Sequence, residues 1–255
     1  MKRRHLFEFS DQRWLPRRLR HYLTDLLQCQ MDWDGTYDVV LPMLNRVLAH
    51  RPQGPVIDLC SGSSGPWKRW MADKKLQGRS VILTDKYPEV PEGGGGTLPP
   101  WLIAYPGPVD ALRIPPSLKG DLTLFTCFHH FPPRDAVTIL EQAVAQGRAV
   151  CLFEFTRRRF STLAGMLFSP LVVLVLTLRI RPVSLDRLFW TLCVPVVPLV
   201  YLWDGMVSHL RTYSVAELSA LHGAFDNDYT WECGILPVPE TGQVVSYLAG
   251  YKLTL

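Results

Sequence analysis

The residues best able to do chemistry lie in four short stretches of the chain. The first is Asp58-Leu59-Cys60-Ser61-Gly62-Ser63-Ser64-Gly65, an acid leading a run of small residues. Small residues let a ligand approach the backbone closely, and a helix start beyond them offers amide donors. An acid at the head of such a bend repels phosphate and suits a positively charged group. The second is Asp85, which closes the apolar run Ser80-Val81-Ile82-Leu83-Thr84 and can accept hydrogen bonds from sugar hydroxyls. The third is His129-His130, after Asp121-Leu122-Thr123-Leu124-Phe125-Thr126. Histidine exchanges a proton near neutral pH with any group in hydrogen-bond reach. The fourth is Glu154, at the end of Arg148-Ala149-Val150-Cys151-Leu152-Phe153.

The elements that position these residues follow from the hydrophobic pattern. Val56-Ile57 is a buried strand running into the bend, and Pro66 suits the first helical position beyond it, where no donor is lost. Strand, small-residue turn, helix, strand and terminal acid make the nucleotide-binding half-unit of an open α/β sheet, whose ligands lie beyond the carboxyl ends of the strands. The choice of cofactor turns on the bend. A dinucleotide would call for G-x-G-x-x-G and no acid, whereas S-adenosylmethionine has an ammonium and a sulfonium but no phosphate.

The stretch from Asp58 to Gly65 resembles the first motif of class I S-adenosylmethionine-dependent methyltransferases, commonly D-x-G-x-G-x-G, with Cys60 and Ser64 at the outer glycine positions. The resemblance extends over about 55–155 and 204–255. It implies a Rossmann-like α/β fold, a mostly parallel sheet with helices on both faces and a closing antiparallel strand. It implies S-adenosyl-L-methionine as cofactor, with Asp58, Cys60, Ser61, Gly62 and Gly65 at its amino-acid end, Asp85 and Lys86 at the ribose, and Asp110 and Ala111 at the adenine. Cys127 adjoins them in Cys127-Phe128-His129-His130-Phe131, which is similar to the family's fourth motif. His129 or His130 is then the candidate base. Tyr37, Glu154 and the cluster Asp204, His209, Arg211 and Tyr213, in a line similar to one that such enzymes carry before the last helix, are candidates for holding the acceptor. The competing roles are packing for Tyr37, pairing with a structural arginine for Glu154, and structural anchoring for the cluster. The rival functions are an NAD(P)-dependent oxidoreductase and a non-catalytic membrane scaffold that retains the fold.

Composition sets the bounds. At 255 residues and 47% hydrophobic content the chain buries a large core, and a single domain is the expectation. The six cysteines show no C-x-x-C or Cys/His metal spacing, so reduced thiols and no metal are expected. A net charge of +4 does not argue for nucleic acid. The basic start Met1-Lys2-Arg3-Arg4-His5 is followed by Glu8, Asp11 and Arg13 before any long apolar core, unlike a secretory signal.

Two helices, expected to form an N-terminal cover over 1–50, are predicted before the first strand. One begins at Pro16 with Leu19, Tyr22, Leu23 and Leu26 on one side; a loop with Asp32, Trp33, Asp34 and Gly35 follows. The second contains Val39 to Leu48 and stops at 50–54. Pro88, Pro91, Gly93 to Gly96, Pro99 and Pro100 predict a loop at the ligand-facing edge. Ser214-Val215-Ala216-Glu217 is a capping box opening a helix through Ala224, and two strands end the chain.

The stretch 160–204 stands apart. Ser161 to Leu178 and Leu188 to Trp203 contain no charge, and each run is near the roughly 17–25 residues that span a bilayer. Ten such side chains left in water would cost on the order of 15–30 kcal/mol, more than a domain's net stability. The expectation is an inserted apolar helical hairpin dipping into or across a membrane at its cytoplasmic face, with lipid as a partner and a hydrophobic or lipid-like acceptor.

Overall fold

The computed structural model describes residues 1–50, 54–72, 79–88, 98–223, 225, 228–239 and 241–253. The expected helix stop at Arg51 to Gln53, the Pro91 and Gly93 to Gly96 part of the edge loop, and the helix end at Ala224 lie outside them. In chain order the α-helices are α1 (Arg17–Asp34), α2 (Leu41–Ala49), α3 (Trp67–Ala72), α4 (Pro133–Ala145), α5 (Phe160–Met166), α6 (Ser169–Arg179), α7 (Leu185–Leu188), α8 (Val196–Arg211) and α9 (Val215–His222). The strands are β1 (Val56–Leu59), β2 (Val81–Thr84), β3 (Leu102–Ala104), β4 (Asp121–Phe125), β5 (Val150–Glu154), β6 (Thr230–Val238) and β7 (Gln243–Tyr251).

The chain divides into two compact units, residues 35–155 with 213–255, and residues 1–34 with 156–212. The first holds a seven-stranded sheet in the order β3-β2-β1-β4-β5-β7-β6, parallel from β3 to β5, with β7 antiparallel to both its neighbours. Every residue of β1, β4 and β5 is buried, as strands covered on both faces must be. Ile57, Leu59, Leu122, Leu124 and Leu152 pack with Ile139 and Leu140 of α4 and Leu218 and Leu221 of α9. The alternate residues Phe125 and Phe153 stack on the other face, where Tyr37, Trp67 and Trp70 meet Phe125 edge-on. Ser214 and Glu217 form the expected capping box.

In the second unit Leu15, just before α1, and Tyr22, Leu23 and Leu26 of α1 pack against Val173 and Leu176 of α6 and Val197 and Val200 of α8. Two differences from the sequence reading follow. The helix α1 belongs with the apolar helices, and α2 with the sheet, instead of both forming a cover. Asp32, Trp33 and Asp34 are helical, not loop: Gln28 donates to Asp32 one turn on (2.9 Å), and α1 ends where Gly35 turns left-handed, φ 58°. The segment 160–204 is a set of bent helices, α5 and α6 meeting at 53° and the α7 to 193 stretch meeting α8 at 73°. Among the described residues no single helix is long and apolar enough to cross a membrane.

Gly120, at the entry to β4, has φ +156°, and a Cβ there would sit 2.3 Å from the Pro55 carbonyl oxygen. Gly120→Ala is expected to destabilise the protein by roughly 1–3 kcal/mol, read as a lower urea midpoint with unchanged slope.

Candidate active site

The bend after β1 is built on left-handed backbone. Cys60, Gly62 and Gly65 have φ of 56°, 54° and 52°. Glycine adopts this conformation freely and a side chain adopts it at a cost, so Cys60 is held by its surroundings. Ser61 does part of that. Its amide donates to the Thr84 carbonyl (2.9 Å), its hydroxyl donates to the Asp58 carbonyl (2.7 Å) and accepts from the Thr84 amide (3.1 Å). The Thr84 hydroxyl also donates to the Asp58 carbonyl (2.8 Å). The bend is thereby stitched to the end of β2.

Asp58 lies beneath the bend, 1% exposed. Its Oδ1 accepts from the Thr123 hydroxyl at 2.7 Å, and register makes this possible because Asp58 and Thr123 are partners across β1 and β4. Burial pushes its carboxyl up to about 7, against the hydrogen bonds from Thr123 and other side chains, which favour the anion.

Asp85 follows β2. One oxygen accepts from the Gly62 amide (3.0 Å) and the other from the Tyr87 amide (2.8 Å), each keeping a further acceptor site. Asp110 follows β3, accepts from the Leu112 amide (3.0 Å) and pairs with Lys86 (3.1 Å). Burial raises the Asp110 carboxyl, but the Leu112 amide and the Lys86 ammonium prevail and hold it below the ordinary range. Ala111 is buried in the core. Three acids thus lie in or after three adjacent strands, Asp58 within β1, Asp85 directly after β2 and Asp110 in the segment after β3.

Beyond β4, Thr126 is also left-handed, φ 48°, and its hydroxyl bonds the buried Tyr37 hydroxyl. Cys127 is buried, its thiol directed at the Leu59 carbonyl (3.6 Å). The neighbouring Cys60 thiol, and then burial, push Cys127 well above the ordinary thiol range. His129 is buried beside the half-buried His130, ring centroids 4.3 Å apart. Glu154 grips His129 twice, accepting from its amide (3.0 Å) and meeting its Nδ1 (2.9 Å). Burial alone would raise Glu154; the charge and hydrogen bonds of His129 outweigh it and leave Glu154 low. An ionised carboxylate only accepts, so Nδ1 bears the proton and Nε2 presents its lone pair when the ring is neutral. Glu154, read from sequence as an acceptor contact, has both oxygens on His129. Tyr213 donates to the Phe131 carbonyl (2.7 Å) and closes the same loop.

Asp204, His209 and Arg211 belong to the other unit and are engaged there. Asp204 accepts from the amides of Phe9 (2.7 Å) and Ser10 (2.9 Å). His209 Nδ1 lies 2.9 Å from both the Arg157 amide nitrogen and its carbonyl oxygen. Arg211 pairs with Glu8 (3.1 Å) and Asp11 (2.6 Å). Asp204 and Arg211 thus anchor the N-terminal segment, and His209 the backbone at Arg157.

The plantazolicin methyltransferase BpumL, solved in complex with SAH, superposes with a TM-score of 0.59 at 10% identity, over 96% of this chain and 94% of that one. A second BpumL structure, with SAH and a pentazolic desmethylPZN analog, gives 0.50 at 11% identity, over 92% and 98%. The fold is that of class I methyltransferases. At these identities the likeness is one of fold. No protein-family model matches the sequence, and no curated protein sequence matches it.

On this methyltransferase fold the residues fit an adenosyl amino acid better than a dinucleotide. An acid beneath the bend, one at the β2 end and one after β3 suit an ammonium, a ribose diol and an amine, and none suits a pyrophosphate. Thr123 and Thr126 escaped the sequence reading, since a threonine in or after an apolar strand has no local mark of its partner.

The Asp58 shift has a signed consequence. As pH rises from 3.8 to about 7 the unfolded chain ionises this group while the folded protein keeps its proton, so stability falls over that window. Asp58→Asn removes the effect. Urea unfolding across that range is expected to show the variant gaining on the parent with rising pH, by up to about 4 kcal/mol.

Proposed function

We propose that this chain is an S-adenosylmethionine-dependent methyltransferase acting at a membrane on a hydrophobic or lipid-like small molecule. The observation that carries the transferase reading is the row of Asp58, Asp85 and Asp110 in or after neighbouring strands, around a left-handed small-residue bend. S-adenosylmethionine, when bound, supplies an electrophilic methyl on a sulfonium and leaves as a neutral thioether. The backbone at Gly62 and Gly65 would receive the amino-acid end, whose ammonium would favour ionisation of the buried Asp58 below it. Asp85 would accept from the ribose and Asp110 from the adenine amine. Catalysis then rests mainly on proximity and orientation, because the thioether leaves without an acid.

His129 is the proposed proton acceptor, with Glu154 as its positioning residue; His130, the more exposed ring, is the alternative. Asp204, His209 and Arg211 enter this reading as structural anchors. The hydrophobic acceptor is inferred from the apolar helices of the other unit, whose exposed side chains include Phe168 and Leu171.

Calorimetric titration separates this reading from an oxidoreductase: binding of S-adenosylhomocysteine and not of NADH is expected, with affinity reduced by roughly tenfold or more in Asp85→Ala, the loss of a charged hydrogen-bond partner. Heat with NADH alone would overturn it. With an acceptor in hand, Glu154→Gln is expected to lower kcat by about 10²-fold and to displace the acidic limb of the pH profile, leaving the KM for the cofactor unchanged. An unaltered profile would remove His129 and Glu154 from the mechanism.

A further inference from the structure

The unit formed by residues 1–34 and 156–212 exposes many large apolar side chains along its bent helices. Phe160 is 79% exposed, Phe168 67%, Leu171 62%, Leu185 81% and Leu199 58%. They lie on or beside α5, α6, α7 and α8, and α5 has no buried residue at all. Soluble surfaces rarely expose so many large apolar side chains together, and such patches mark a partner or a membrane.

Charge identifies the partner. This unit contains fourteen lysines and arginines against seven acids, a net +7, whereas the whole chain is only +4. Arg187 and Arg211 are buried in ion pairs, but Arg159, Arg179 and Arg181 are exposed at the ends of α5 and α6 beside the apolar face. Apolar side chains bordered by arginines match an anionic lipid leaflet, hydrocarbon below and phosphates above. An aromatic cluster of Phe7, Phe9, Trp14 and Trp203, with Trp14 65% exposed, adds side chains suited to the headgroup zone.

The mode of contact follows from what holds the helices. The inner sides of α6 and α8 are packed on α1, whose outer side exposes Arg17, Arg18 and His21. Polar links fasten α1 to these helices: Asp25 to Arg187 (3.2 Å), Tyr22 to Asp186, Gln30 to Tyr201, and Arg179 over the Trp33 ring (3.2 Å). Helices crossing the bilayer would draw this charged partner into hydrocarbon. Each arm is also broken; α6, at 11 residues, is about 16 Å long, close to half of a hydrocarbon core of about 30 Å.

We infer that this unit is a docking surface for one leaflet of an anionic bilayer, its bent helices entering the leaflet sideways without crossing. This goes beyond the proposed reaction in fixing the lipid charge and the depth, and it stands whether or not the sheet unit transfers methyl groups.

The test is co-sedimentation of the full chain with vesicles of phosphatidylcholine, alone or mixed with phosphatidylglycerol. Binding is expected to be roughly tenfold stronger to the anionic vesicles and to weaken with salt. Arg179→Gln with Arg181→Gln should reduce that preference. Leu171→Glu with Leu199→Glu should abolish binding to both vesicles while the thermal midpoint is retained, which separates a lost surface from a lost fold. After reconstitution, an impermeant maleimide trapped in the vesicle lumen should leave the exposed Cys193, just before α8, unlabelled. Lumenal labelling would show a crossing segment and overturn the inference. So would equal or absent binding to both vesicles, or a dimer in solution that Leu171→Glu with Leu199→Glu dissolves, since a second copy would then be the cover.

Discussion

A carboxyl group buried among three strand ends is the constraint on which the site depends. Asp58 receives Thr123 from β4 on its side chain, and Ser61 and Thr84 on its carbonyl. The bend above it is therefore not a free loop. Hydrogen bonds through Ser61 and the Gly62 amide tie it to Thr84 and Asp85 at the end of β2. The cost of burying the acid is visible in a carboxyl raised to about 7, and a cation lying over the bend would offset it.

The second buried acid works differently. Glu154 meets a ring that can carry positive charge, so its carboxyl stays low and ionised while Asp58 does not. Two carboxyl groups with the same degree of burial thus differ in protonation because one has a basic partner and the other has hydroxyls. This difference suits them to different work, one beneath the bend and one fixing the orientation of an imidazole.

Much of the sheet unit was legible in the sequence. The apolar runs of β1, β4 and β5 are short and bounded by turn residues, and strand and helix alternate, which leaves few topologies. The Ser214 capping box and the acids closing β1 and β2 are local signals. The partners of those acids were not legible. Thr123 stands 65 residues from Asp58, and the two meet only because β4 pairs directly with β1 in that register. Glu154 points at His129 and not at an open site because Phe125 and Phe153 are register partners, placing the two loops together. For the polar line Asp204, His209 and Arg211 the sequence left binding and anchoring open; its side chains hold the backbone of Leu6, Phe9, Ser10 and Arg157 and the side chain of Asp11.

What the sequence determined by itself is the kind and order of the elements, the acid-led bend, and the presence of an apolar stretch that needs a cover. Periodicity and turn chemistry are local, so a single chain displays them without its fold. The tertiary structure alone decided which hydroxyl holds Asp58, which ring Glu154 serves, and that α1 packs with the apolar helices. Those outcomes depend on contacts between residues far apart in the chain, and strand register and helix packing, not spacing, set them.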